Sequence, residues 1–147
     1  MIYVSEIMTA QPYTLMADAS ISDAVKLMTE KHIRHIPIVN EADELAGIVT
    51  HRDLLAATGS KLDKVSTNEN AFANRPVSEI MTSNVSTTVE QAELISAARF
   101  LEQHDFDALP VVDGKTLVGI VTDSDFVAVA INLLEQMSVT EPEEIFD

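Results

Sequence analysis

Two short segments carry side chains able to do chemistry together: Gly47-Ile48-Val49-Thr50-His51-Arg52-Asp53 and Gly119-Ile120-Val121-Thr122-Asp123-Ser124-Asp125. In each, a threonine precedes an aspartate by three residues, at the expected head of a helix. The local consequence is a capping-box variant, in which the Thr caps the helix and the Asp reaches back to the cap amide. The same pair has a second use. A carboxylate beside free backbone amides can accept both hydroxyls of a ribose cis-diol. The helix N-terminus and the Thr hydroxyl can meanwhile meet phosphate oxygens. One carboxylate cannot fully serve both duties, and the local sequence leaves both readings open.

The surrounding charge bears on this choice. The chain has 24 acidic and 9 basic residues, a formal charge of -15. Such a surface repels phosphate backbones and anionic lipid, so neither nucleic acid nor membrane is an expected partner. Yet Lys26, Lys31, Arg34 and Arg52 gather in and just after the first half of the first unit, with His32, His35 and His51 beside them.

The elements that position these residues come in two copies. Val4-Ser5-Glu6-Ile7-Met8-Thr9 returns unchanged as Val77-Ser78-Glu79-Ile80-Met81-Thr82, Pro37 returns as Pro110, and Leu45-Ala46-Gly47-Ile48-Val49-Thr50 as Leu117-Val118-Gly119-Ile120-Val121-Thr122. A one-residue slip falls between Asn40–Glu44 and Asp113–Thr116, where a hairpin loop can change length. Each copy predicts a short helical turn (Val4 to Met8; Val77 to Met81) and a brief strand (Tyr13–Met16; Ser86–Val89). An amphipathic helix follows, with Ile21, Ala24, Val25, Leu27 and Met28 on its apolar face and Ser20 or Ser22 as cap. In the second copy Leu94, Ala97, Ala98, Phe100 and Leu101 take that face. Two apolar strands come next, Ile36–Val39 with Leu45–Val49 and Leu109–Val112 with Leu117–Val121, then helices from His51 and Asp123. Asp113-Gly114 is a strong hairpin signal and Glu41–Glu44 a looser one.

These strands imply burial on both faces, and one unit of ~55 residues would be marginal alone. The two are expected to pack face to face about a pseudo-two-fold axis. The expected division is repeat 1 at 1–58, a polar linker at 59–76, repeat 2 at 77–136 and an acidic tail at 137–147.

Two copies of Met-Thr, an apolar-Pro-apolar strand and Gly-apolar-apolar-Thr-x-x-Asp, in this order, resemble a pair of CBS domains from about Val4 to Glu135. Each motif alone is weak, but the ordered double set is specific. The resemblance implies two βαββα repeats of α/β (α+β) class with a ligand cleft between them. It also implies binding of an adenosine-containing ligand such as AMP, ADP, ATP or S-adenosylmethionine. In that family the motif Asp holds the ribose. The Thr, the residue before the Asp and the two residues preceding the apolar-Pro-apolar strand approach the phosphates. Carried onto this chain, the first set is Asp53, Thr50, Arg52, His35 and Arg34; the second is Asp125, Thr122, Ser124, Ala108 and Asp107. The adenine slot is bordered by the segments after Met8-Thr9 or Met81-Thr82. The first set is rich in guanidinium and imidazole, so it is expected to bind a nucleotide. The second, with Asp107 and Asp123 nearby, is expected to be empty, weak or nucleoside-selective.

Other groups read more plainly. His32, His35 and His51 lack a recognisable zinc spacing, and no metal is expected. His104, Lys61, Lys64 and Arg75 are expected at the surface, Asp105 and Asp107 on an exposed turn, and Met8, Met81, Met16 and Met28 as core anchors. No phosphate loop, nucleophile elbow or metal cluster supports an enzyme. With no cysteine, no visible signal peptide and no long apolar run, a cytoplasmic location is expected. The reading is a regulatory module acting in trans on an unidentified protein. A homodimer is implied by the family and consistent with the apolar stretches Leu54–Ala57 and Phe126–Ile131, which fit an intrachain core equally well. The alternatives are a ligand-free dimerisation module and, behind it, an enzyme using the cleft.

Overall fold

The apolar period of the first repeat closes on one face of a helix. Ile21, Ala24, Val25 and Met28 are all buried on α2 (Ile21–Lys31). Its start is a reciprocal box: Ser20 Oγ accepts from Asp23 N–H at 3.0 Å, and the Asp23 carboxylate accepts from Ser20 N–H at 3.2 Å. Ser20 is therefore the cap, whereas the Ser22 side chain is buried and its Oγ has no partner. The helix ends on His32 in the left-handed region (φ 55°), its N–H donating to Met28 O. The second repeat ends α4 (Leu94–His104) the same way on Asp105 (φ 56°).

The computed structural model describes residues 1–58 and 71–140. Ahead of α2 lie α1 (Val4–Ile7), β1 (Thr9–Ala10) and β2 (Leu15–Met16); after it come β3 (His35–Val39), β4 (Leu45–Thr50) and α3 (His51–Thr58). The second repeat opens with a 3-10 turn at Val77–Glu79. Then come α4, β5 (Ala108–Asp113), β6 (Thr116–Thr122) and α5 (Asp123–Thr140). One sheet has the order β2-β3-β4, the other β1-β6-β5. The second hairpin turns tightly at Gly114, φ +63°, between the paired Asp113 and Thr116. The first is held by Asn40, whose Oδ1 accepts from the amides of Ala42 and Glu44, both at 2.9 Å. The tips bond reciprocally, Leu45 N–H to Lys115 O at 3.0 Å and Leu117 N–H to Asp43 O at 2.9 Å, as a pseudo-two-fold relation requires.

The packing units are not the sequence repeats. β1, from the head of the first repeat, pairs with β6 of the second. Thr82, from the head of the second, bridges Ile48 on β4 of the first, with N–H···O distances of 3.0 and 2.8 Å. Val4 is fully buried among Leu94, Ala97, Leu101 and Leu109, while Val77 and Ala73 complete the core around Ile21, Ile36 and Val49. The two units exchange their leading segments.

This explains the repeated glycines. A Cβ on Gly47 would sit 2.7 Å from Thr82 O, and one on Gly119 would sit 2.6 Å from Met8 Sδ and 3.0 Å from Thr9 O. Each Gly-Ile-Val-Thr strand thus makes room for the Met-Thr segment of the other repeat.

Several expectations change. Met16 faces solvent, because Leu15 takes the inward place on the two-residue strand β2. Of the linker, residues 59–70, including Lys61 and Lys64, lie outside the described residues. At its end Ala71–Asn74 form a 3-10 turn and Ala73 is buried. α5 continues to Thr140, so the start of the expected tail is helical; residues 141–147 lie outside the described set. Leu54 is intrachain core and Phe126 and Val129 pack on the second core, while Val127, Ile131, Leu134 and Met137 stay exposed. No described helix is long and apolar enough to cross a membrane.

Candidate functional site

The strand-to-helix corners are built as the local sequence dictates. Thr50 N–H donates to Asp53 Oδ2 at 2.9 Å and Asp53 N–H donates to Thr50 Oγ1 at 3.1 Å. In the second copy Thr122 N–H donates to Asp125 Oδ2 at 2.8 Å, and the Thr122 hydroxyl reaches the same oxygen at 3.4 Å. Both aspartates cap. In each, however, the cap uses Oδ2, and among the described residues Oδ1 has no protein partner. The two duties of the carboxylate are divisible between its oxygens.

A cavity of about 130 Å³ opens beside the first corner. Repeat 1 supplies His35, Ile48 and Thr50; the segment after Met81 supplies Thr82, Asn84, Val85 and Ser86, and the start of β5 adds Phe106, Asp107 and Ala108. The cavity therefore lies on the seam between the repeats. Its two ionisable groups, His35 and Asp107, meet across it, Nε2 to Oδ1 at 3.1 Å. The His35 side chain is 9% exposed and that of Asp107 is 41%. Asp107, expected on an open turn, is thus half-buried and paired.

Of the first set, His35 and Thr50 line the cavity and Asp53 braces Thr50. Arg34 and Arg52 are exposed at the same corner, since His51 N–H donates to Arg34 O at 2.8 Å. Neither guanidinium has an ion-pair partner among the described residues, although the chain has 24 carboxylate side chains. Of the second set, Asp107 and Ala108 join this same cavity, whereas Thr122, Ser124 and Asp125 stand at the other corner. Asp123 N–H donates to Asp107 O at 3.0 Å there, mirroring the His51–Arg34 contact.

Sequence reasoning named the segment after Met81-Thr82 but not Asn84, Val85, Ser86 or Phe106. A faint signal existed, since Asn84 (φ 54°) and Gln11 (φ 48°) hold matching left-handed positions in the two copies. Phe106 lies 6.1 Å, centroid to centroid, from Phe100, which stacks on His104 at 4.0 Å. Among the described residues no group of three His, Cys, Asp or Glu is arranged to hold a metal.

Two α/β units of one plan, interlocked by exchanged leading segments and sharing a cleft at their seam, define a tandem-repeat module. A family model for the CBS domain matches residues 4–60 and 77–132, and the chain belongs to that family.

A Vibrio cholerae protein provisionally assigned to acetoin utilization (AcuB) superposes with a TM-score of 0.81 at 42% identity, over 97% of this chain and 99% of that one. The CBS domain pair of protein MJ0100, in complex with 5′-methylthioadenosine and S-adenosyl-L-methionine, is 29% identical over 90% of this chain and 98% of its own, TM-score 0.78. CBSX2 from Arabidopsis thaliana in complex with AMP is 28% identical over 91% and 99%, TM-score 0.77. Some curated relatives are much longer. A homoserine O-acetyltransferase of Methanococcoides burtonii is 38% identical over 83% of this chain, which spans only 23% of that enzyme.

Proposed function

We propose that this chain is a regulatory module that binds an adenosine-containing ligand at the seam between its repeats and acts in trans on a protein partner. The observation that carries this is the composition of the seam cavity. An apolar recess (Ile48, Val85, Phe106, Ala108) adjoins a corner where, among the described residues, one Asp53 carboxylate oxygen and two arginines have no partner. Asp53 Oδ1 accepts a ribose hydroxyl while Oδ2 keeps the helix capped. Thr50, His35, Arg34 and Arg52 face a 5′ phosphate when one is present. Thr122, Ser124 and Asp125 form the corresponding half-site at the other corner, with less positive charge. The complexes of MJ0100 and CBSX2 support an adenosine ligand and span AMP and S-adenosylmethionine.

The cavity is smaller than the ~300–1,000 Å³ usual for ligand sites. A ligand that binds better to a wider seam would shift the module toward that arrangement, and this is how the module would act as a sensor. The exposed apolar residues of α5 suit a homodimer contact, and the cysteine-free chain suits a cytoplasmic setting.

The test is a thermal-shift panel followed by calorimetry with AMP, ADP, ATP, S-adenosylmethionine and 5′-methylthioadenosine. A ligand at one hundred times its Kd raises stability by ~2.7 kcal/mol. Asp53→Asn keeps an acceptor for the Thr50 amide but loses the charge, and is expected to weaken binding by about tenfold with little change in unfolding temperature. A second reading, a ligand-free interaction module, is favoured by the closed Thr50–Asp53 box. It prevails if no adenosine compound shifts the melting curve.

A further inference from the structure

The His35–Asp107 pair does more than line the cavity. Imidazole Nε2 is the cavity's sole ring-nitrogen donor among the described residues, and a carboxylate already occupies it at 3.1 Å. The pair spans the seam, since His35 opens β3 of the first repeat and Asp107 directly precedes β5 of the second. The position equivalent to Asp107 in the first repeat is Arg34, as the matching backbone contacts to His51 and Asp123 establish. One structural position thus holds opposite charges in the two copies. The acidic one is the member set in the wall of the cavity.

We infer that Asp107 is a specificity-determining residue, an internal anion that competes with a ligand's 5′ phosphate for His35. The inference rests on the adenosine-binding reading above. A phosphate can bond His35 Nε2 only by displacing Asp107, and the displaced carboxylate then stands beside the incoming dianion. A ligand with a neutral thioether or a cationic sulfonium at the 5′ position leaves the pair intact. The cleft therefore penalises nucleotides relative to neutral or cationic adenosine derivatives. Arg34 and Arg52, outside the cavity wall, offset that penalty in proportion to how far the phosphates reach.

The experiment is calorimetry on the full chain with AMP and with 5′-methylthioadenosine, for wild type, Asp107→Asn, His35→Gln and the double variant. Asp107→Asn keeps the side-chain shape and removes the charge. It is expected to tighten AMP by about tenfold, the scale of one like charge removed near a partly solvated site, and to leave 5′-methylthioadenosine within about twofold. In the His35→Gln background the gain for AMP is expected to shrink to the part that repulsion alone supplies. Equal shifts for both ligands, or none, overturn the inference while adenosine binding stands. A gain for AMP that is undiminished without His35 overturns the competition and leaves simple repulsion. Absence of binding by both ligands to every variant removes the adenosine reading itself, and this inference with it. Circular dichroism of each variant separates these results from misfolding.

Discussion

Replacing Gly47 with alanine sets a methyl carbon 2.7 Å from Thr82 O and 2.9 Å from Met81 Sδ, where unstrained contacts lie near ~3.5–4.0 Å. The methionine side chain can turn away. The carbonyl cannot, because it accepts from Ile48 N–H at 3.0 Å while Thr82 N–H donates to Ile48 O at 2.8 Å. Relief requires the Met-Thr segment of the second repeat to lift off β4. Overpacking of this kind costs about 1–3 kcal/mol, and losing one of the two hydrogen bonds adds about 0.5–1.5 kcal/mol. Alanine's smaller chain entropy offsets about 0.5–1 kcal/mol of that. The net expectation is a loss of about 1–3 kcal/mol. Gly119→Ala should cost less, because its backbone contact, Thr9 O at 3.0 Å, is looser and its closest neighbour is the flexible Met8 Sδ. The assay is urea unfolding, with a fall in midpoint at constant m-value. A Gly47→Ala protein within about 0.5 kcal/mol of wild type would refute the reasoning, because the crossing segments would then not need the glycine.

Two further outcomes test the packing. Ser22→Ala removes a buried hydroxyl that has no partner and should stabilise by about 1 kcal/mol, seen calorimetrically as a melting point a few degrees higher; a lower melting point would mean the hydroxyl is satisfied. Val4→Ala empties a fully buried site in the second core and should cost about 2 kcal/mol. In hydrogen exchange, amides of α4, β5 and β6 should lose protection before those of α2 and β3, and the reverse order would contradict the segment exchange.

What could be read in the sequence were the features set by neighbours along the chain. The helical period of Ile21 to Met28, the Asp113-Gly114 turn and the Thr50–Asp53 box form as their local chemistry dictates, and in the second copy the Asp125 half of the box does so too. The segment exchange was not readable, because Val-Ser-Glu-Ile-Met-Thr is identical in both copies and fits either sheet equally well. The glycines were visible as a motif, but their reason is a contact with the opposite repeat. Asn84 and Phe106 escaped notice because their counterparts, Gln11 and Ile33, share little of their chemistry. The extension of α5 to Thr140 follows from the lack of any breaker before Pro142, which disfavours helix at the residue it follows. The acidity of the last residues argued for solvation and said nothing about where the helix ends.

The exchanged segments bear directly on how such a cleft can signal. Thr82 is fastened to β4 of the first sheet, yet two residues later the same strand of chain lines the cavity at Asn84, Val85 and Ser86. β4 itself carries Ile48 and Thr50 into the opposite wall. A ligand that widens the cavity therefore pushes on a segment whose root is clamped between Gly47 and Met81, and whose continuation reaches Thr88, bridged to β5 at Val111. If these buried contacts are bistable rather than elastic, such a load would shift one sheet relative to the other. Had each repeat kept its own leading segment, the cavity would widen by simple separation of two independent units and nothing outside it would need to move. On the proposed function, interlocking would couple occupancy of this recess to the relation of the two sheets, a change that a partner could read.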